Sequence, residues 1–180
     1  MTSFPLVLSD ASCLNSLDIE KIFTIFENDF IKNNIILAIN GINYTITVKE
    51  EITCACPHSG VDKPERFWHI ISKKENDSSK QNNPCRDVRE KKRAYCSARA
   101  KRIHWIKETI DGLLAKEEHI KYFSEDNGAV THFIWDIERF YIVLIKHLGR
   151  SNILLVTAYP VHKNKYRDYK ARLKKYEESI

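Results

Sequence analysis

The run Ile153-Leu-Leu-Val-Thr-Ala-Tyr159 constrains the fold of this chain more than any other stretch. Its first residues are apolar on both faces of an extended backbone, and a strand of that kind belongs inside a sheet, with a neighbour on each side. Pro160 lacks the N–H that a further ladder bond needs and ends the strand. Upstream, Thr131–Asp136 and Arg139–Ile145 read as the two arms of a hairpin. Ile35–Ile39 and Tyr44–Val48 read as another, joined by Asn40-Gly41, a pair suited to a tight primed turn. Arg66–Ser72 reads as a short aromatic strand on which Phe67, His69 and Ile71 alternate with Trp68, Ile70 and Ser72. Asp18 is placed to cap a helix over 19–31, with Ile19, Ile22, Phe23, Phe26 and Phe30 on one stripe. Residues 164–179 read as an amphipathic helix with Tyr166, Tyr169, Leu173 and Tyr176 inward, and 113–128 as a short helix or irregular chain. The sum is an α+β fold, a mostly antiparallel sheet packed by helices. At 180 residues a single domain, 1–180, is expected. It would have an N-terminal helix and hairpin in 1–60, a mobile polar loop over 73–84 and a core over 66–175.

Charge is distributed unevenly. The chain carries 29 Lys and Arg against 24 Asp and Glu, a net charge of +5, which directs it towards an anionic partner. Between Arg86 and Lys107 nine residues are basic and two, Asp87 and Glu90, are acidic. With Pro84 before it and Asp111-Gly112 after it, the stretch is predicted as one helix. Tyr95, Cys96, Arg99, Arg102, Ile103 and Ile106 then share a face at about 100° per residue. Two arginines on an apolar face either reach its rim by extending their side chains or line a cleft that holds a phosphate. Five cysteines, an odd number in no disulfide-like spacing, point to a reducing cytosol. The N-terminus lacks a basic segment ahead of an apolar core, and no apolar run approaches the ~20 residues of a membrane span, so a cytoplasmic chain with no membrane partner is expected.

Three constellations carry possible chemistry. Cys54, Cys56, His58 and His69 are zinc-ligand types, but their spacing departs from the usual two to four residues between paired ligands, and the alternative is that the cysteines are small apolar residues at a strand end. No metal or other cofactor is expected. The second is metal-free phosphoryl chemistry. His69, followed by Ser72 and Lys73, supplies an imidazole that titrates near working pH; Arg99 and Arg102 bind phosphate in a bidentate manner; Thr157 and Tyr159 on the central strand donate hydrogen bonds. Such a set fits RNA cleavage, in which a base removes a 2′-hydroxyl proton, the oxygen attacks the adjacent phosphate and cations steady the added charge. Against it, a histidine on an aromatic strand is commonly a hydrogen-bonded core residue. The third is plain nucleic-acid binding, with Trp105, Tyr166 and Tyr169 beside basic helices; its alternative is a solvated helix face. The chain has no glycine-rich phosphate loop, nucleophile elbow or usefully spaced carboxylate pair.

Phe67-Trp-His-Ile-Ile-Ser72, Arg99-Ala-Lys-Arg-Ile-His-Trp-Ile106 and Leu154-Leu-Val-Thr-Ala-Tyr-Pro160 occur in that order. Together they resemble the RlfA-like family of phage-related proteins, over about residues 66–175, the third segment being the most specific. That family looks like part of the barnase–EndoU–colicin–RelE group of metal-independent RNases. The resemblance implies a BECR-like fold and a small endoribonuclease, a toxin or phage-defence effector. Its RNA substrate would be tRNA or mRNA, and a cognate antitoxin or immunity protein would be a partner. It marks His69, Arg99, Arg102, Thr157 and Tyr159 as catalytic, and Ser72 and Trp105 beside them. Lys73 and Lys165 are further substrate-binding candidates. The spacing between the first two segments is longer here, and His104 stands where the family commonly has arginine, so Arg86 or Arg89 could take over a phosphate contact. A non-catalytic RNA- or protein-binding module on the same fold is the alternative.

Overall fold

The structure, a computed structural model, describes residues 16–39, 41–48, 53–55, 62–74, 93–148 and 152–180. In chain order the elements are helix α1 (Ser16–Phe26), strands β1 (Ile35–Ile39), β2 (Ile42–Thr47), β3 (Thr53–Ala55) and β4 (Asp62–Pro64), helix α2 (Glu65–Ile71), strands β5 (Ser72–Lys74) and β6 (Arg93–Tyr95), and helices α3 (Ser97–Ala100) and α4 (His104–Leu114). Strands β7 (Ile120–Asp126), β8 (Val130–Asp136), β9 (Tyr141–His147) and β10 (Asn152–Pro160) and helix α5 (Lys163–Glu177) complete the chain. The fold is α+β. Two compact units share these elements, one formed from Met1–Asn28 and Lys49–His104, the other from Asp29–Val48 and Trp105–Ile180.

The second unit is built on a six-stranded sheet in the order β1-β2-β10-β9-β8-β7. Four of its pairings are antiparallel, and β2 with β10 is parallel. As its two-sided apolar start demands, β10 runs inside the sheet, with Ile153, Leu155 and Ala158 fully buried. Gly41, at φ +78°, makes the turn between β1 and β2. A register shift between Leu155 and Thr157 then reverses the alternation of β10. Ile153 and Leu155 lie on one face. Thr157 and Tyr159, which pair with Leu144 and Ile142, lie on the other with Leu154.

That second face packs against α5. Phe123, Phe133, Trp135, Ile142, Val161 and Tyr169 form its buried cluster, with Tyr159, Tyr166, Leu173 and Tyr176 against it. Arg172 clamps the helix down. Its guanidinium donates to both Glu125 carboxylate oxygens at 2.5 and 2.7 Å and lies 4.4 Å from the Phe133 ring centroid. The clamp holds the Glu125 carboxyl below its ordinary range. In α4 the buried residues Ile106, Thr109 and Ile110 follow helical spacing.

The first unit is knitted from short pieces. Phe23 and Phe26 of α1 meet Phe67 of α2 at ring distances of 5.3 and 5.6 Å. Lys63 bridges to Glu20 at 2.9 Å while its ammonium lies 4.0 Å from the centre of the Phe23 ring. Strand β5 pairs with β6, and Cys96 N–H donates to the Ile71 carbonyl at 2.9 Å.

Several expectations are corrected. The segment read as a strand over Arg66–Ser72 is helix α2 as far as Ile71, because Phe67, Ile70 and Ile71 are buried at helical spacing. Only Ser72 begins a strand, and Lys73 and Lys74, expected in a loop, continue it. The single basic helix is instead β6, α3, a turn at 101–103 and α4, so Tyr95 does not share a helical face with Ile106. Residues 120–126, expected to be irregular or helical, form edge strand β7. Helix α1 starts earlier than expected, and a wider π-helical turn, Glu27–Lys32, follows it. Arg139 sits in the β8–β9 turn rather than in a strand.

Candidate functional site

The first of the three segments singled out in the sequence and the second as far as His104 lie in the first unit. The Arg99 guanidinium donates through Nη1 to the Ser72 carbonyl at 2.6 Å. Together with the Cys96–Ile71 backbone bond, this fastens α3 to the junction of α2 and β5, one turn from His69. His69 and Arg99 are half-buried, and Ser72 is buried. Arg102 donates through Nη1 to the Ala98 carbonyl at 2.8 Å, and its half-buried chain lies in the turn after α3. Lys73 pairs with Ala94 across the β5–β6 ladder. Arg86 and Arg89 lie outside the described residues.

The third segment belongs to the second unit. Thr157 and Tyr159 share the α5 side of the sheet, and the Tyr159 hydroxyl is hydrogen-bonded to the hydroxyl of the buried Tyr169 at 2.6 Å. Trp105 meets Tyr141 edge to face at 5.5 Å, and Arg139 stacks on it at 5.2 Å while donating to Glu108. Lys165 is exposed and paired with Asp168 at 3.2 Å. Of the proposed zinc ligands, Cys56 and His58 lie outside the described residues. Among the described residues no three histidine, cysteine or acidic side chains converge as a metal-binding group.

A further titratable cluster escaped the sequence reading. On the sheet face opposite α5, His132 of β8 is buried, with Nδ1 hydrogen-bonded to the Tyr122 hydroxyl at 2.7 Å. Its ring is 4.7 Å from that of His147, which in turn meets Tyr44 at 4.9 Å. Nε2 of His132 is buried without a hydrogen-bond partner among the described residues. Burial, reinforced by the neighbouring His147, pushes the His132 imidazole down to about 4, and burial pushes the Tyr122 phenol up to about 12. His132 is therefore neutral at working pH. The available signal was the alternation of β8, which sets His132 on one face with the fully apolar Ile134. Beyond this cluster, a polar cavity of about 400 Å³ lies between the β7–β8 turn and the end of α5, lined by Ser124, Glu125, Asp126, Arg172, Lys175 and Tyr176.

No protein-family model, curated protein or solved structure matches this chain. Among the described residues no helix is long and apolar enough to cross a membrane.

Proposed function

We propose that the chain is a metal-independent endoribonuclease with a BECR-like fold, a cytoplasmic toxin or phage-defence effector held in check by a cognate antitoxin. It would act on tRNA or mRNA. The observation that carries this reading is the bond from Arg99 to the Ser72 carbonyl, which draws the histidine segment and the arginine segment into one body although 27 positions separate the two residues. In the proposed reaction His69 takes the proton of a 2′-hydroxyl, and the oxygen attacks the adjacent phosphorus. The 5′-oxygen departs as the P–O bond breaks and takes a proton from solvent water, leaving a 2′,3′-cyclic phosphate and a 5′-hydroxyl. Arg99 and Arg102 neutralise the extra charge on the pentacovalent phosphorus. The bond from Arg99 to the Ser72 carbonyl ties its guanidinium to the start of β5.

The test is incubation of purified protein with total RNA in excess EDTA, with product ends typed by sequencing. Wild type should give discrete cuts ending in cyclic phosphate. His69→Ala and Arg102→Ala, shown folded by circular dichroism, should lose at least about 10²-fold in rate. Full activity in both would overturn the assignment. Thr157→Ala and Tyr159→Phe measure the part of the third segment separately.

The second reading, a non-catalytic RNA- or protein-binding module, is favoured by one observation: Arg99 and Arg102 each bond a backbone carbonyl, which is what structural arginines do. Under it wild type leaves RNA intact in EDTA, and Arg99→Ala weakens binding without changing any product.

A further inference from the structure

Phe140 holds a conformation that phenylalanine seldom takes. Its φ is +52°, in the left-handed region, at the last position of the turn joining β8 to β9. A bulky side chain there costs backbone energy that glycine or asparagine avoids. The ring is only partly buried, the residue being 38% exposed, while the Phe140 carbonyl accepts the Val161 N–H at 2.5 Å. The ring stands 5.4 Å from that of Tyr166, which packs edge-on against the buried Trp135 at 5.2 Å. A strained turn thus presents an aromatic ring, backed by a second ring rooted in the core.

The helix beside it supplies charge. In α5, seven residues are basic and two acidic. Lys163, Arg167, Lys170 and Lys174 are all exposed and fall within an arc of about 60°, with Tyr166 on its flank. Lys163, Arg167 and Lys170 form no ion pair with a described residue, and Lys174 has only a 3.6 Å approach to the exposed Glu178. The row runs about 16 Å along the helix. Exposed cations in a row attract a polyanion and release its condensed ions on contact.

We propose that this row and the Phe140–Tyr166 pair form a docking surface for single-stranded RNA, with the phosphates along Lys163, Arg167, Lys170 and Lys174 and an unpaired base on Phe140. The choice of RNA among polyanions rests on the nuclease reading; the geometry of ring and row stands without it. A duplex hides the base faces that such a ring takes up. An acidic protein segment would use the charges but leave the strained ring without a role.

The test is fluorescence anisotropy of a labelled single-stranded 2′-O-methyl RNA on the full chain. The probe has no 2′-hydroxyl to attack, so binding is read apart from cleavage. Wild-type affinity should fall steeply with salt. The double variant Lys163→Glu, Lys170→Glu should bind at least about tenfold more weakly with a shallower salt dependence. Phe140→Asn removes the ring but suits the left-handed backbone; it should lose about fivefold or more with the salt dependence unchanged. Unchanged affinity in either variant overturns the surface as drawn, and so does preferential binding of polyglutamate. Binding through this surface without RNA cleavage would sink the nuclease reading alone. Cleavage with normal probe binding in both variants would sink the docking surface alone.

Discussion

His132 is a residue whose ionisation is tightly coupled to the fold. It faces His147 from β9, Tyr122 from β7 and Tyr44 from β2, with Tyr176 of α5 behind Tyr122. None of these neighbours is an anion that would favour a charged imidazole. Its folded pKa of about 4 lies below the ordinary 6.5, so the unfolded chain binds more protons between those values. The stability it contributes is complete above pH 6.5 and declines as pH falls from there towards 4. Below 4 the decline from this group stops. The melting temperature measured from pH 7 to 4 should follow that course, and His132→Gln should flatten it. Equal slopes in wild type and variant would show that His132 is not the source. The Arg172–Glu125 clamp adds a separate loss at lower pH, because a carboxyl held below its ordinary range gives up its contribution only on protonation. Neither residue stood out in the sequence, where His132 is one polar position in an apolar strand and Arg172 one of many basic residues in α5.

Elements were legible where burial imposed a clean period and illegible where it did not. The β1–β2 hairpin, β8, β9, β10 and α5 all show their period in the chain, and each forms close to where that period places it. Strand β7 does not: its buried residues, Ile120 and Phe123, are three apart, and the rest of this edge strand is half-buried or exposed. Helix α2 has strand-like composition, aromatic and β-branched. Packing of Phe67 against Phe23 and Phe26 overrode that propensity. In the basic stretch nothing local broke a helix, yet pairing of β6 with β5 took Arg93–Tyr95 out of it. Helix α4 makes its own test of close packing. A Cβ on Gly112 would lie 2.8 Å from Glu117 Oε2 and from Ile120 Cγ1. The half-exposed glutamate can turn away; the buried Ile120 cannot. Gly112→Ala should therefore destabilise the chain by about 1–3 kcal/mol, despite the better helix propensity of alanine, as read by urea titration. A stabilised variant would mean that α4 and β7 adjust to each other.

At the scale of the whole chain, the sheet is stitched from distant parts. Residues 45–47 pair with 152–154, and the Thr47 hydroxyl adds a bond to the Ile153 carbonyl at 3.3 Å. The first unit, by contrast, holds two-stranded ladders of three residues each. Native-state hydrogen exchange should rank them accordingly. Amides of β8, β9 and β10, inside a six-stranded sheet, should exchange at least about 10²-fold more slowly than those of β3–β6. Equal protection would mean that the two units open together. The chain by itself determined the α+β class, the inner position of β10, the inward stripe of α5 and the concentration of basic charge, because each is written in local apolar period or composition. Only tertiary structure decided which residues share a face. A single register shift in β10 turns Thr157 and Tyr159 away from Ile153 and Leu155, and one guanidinium-to-carbonyl bond brings the arginine segment to Ser72. Both depend on contacts between residues far apart in sequence, which leave no local period to read.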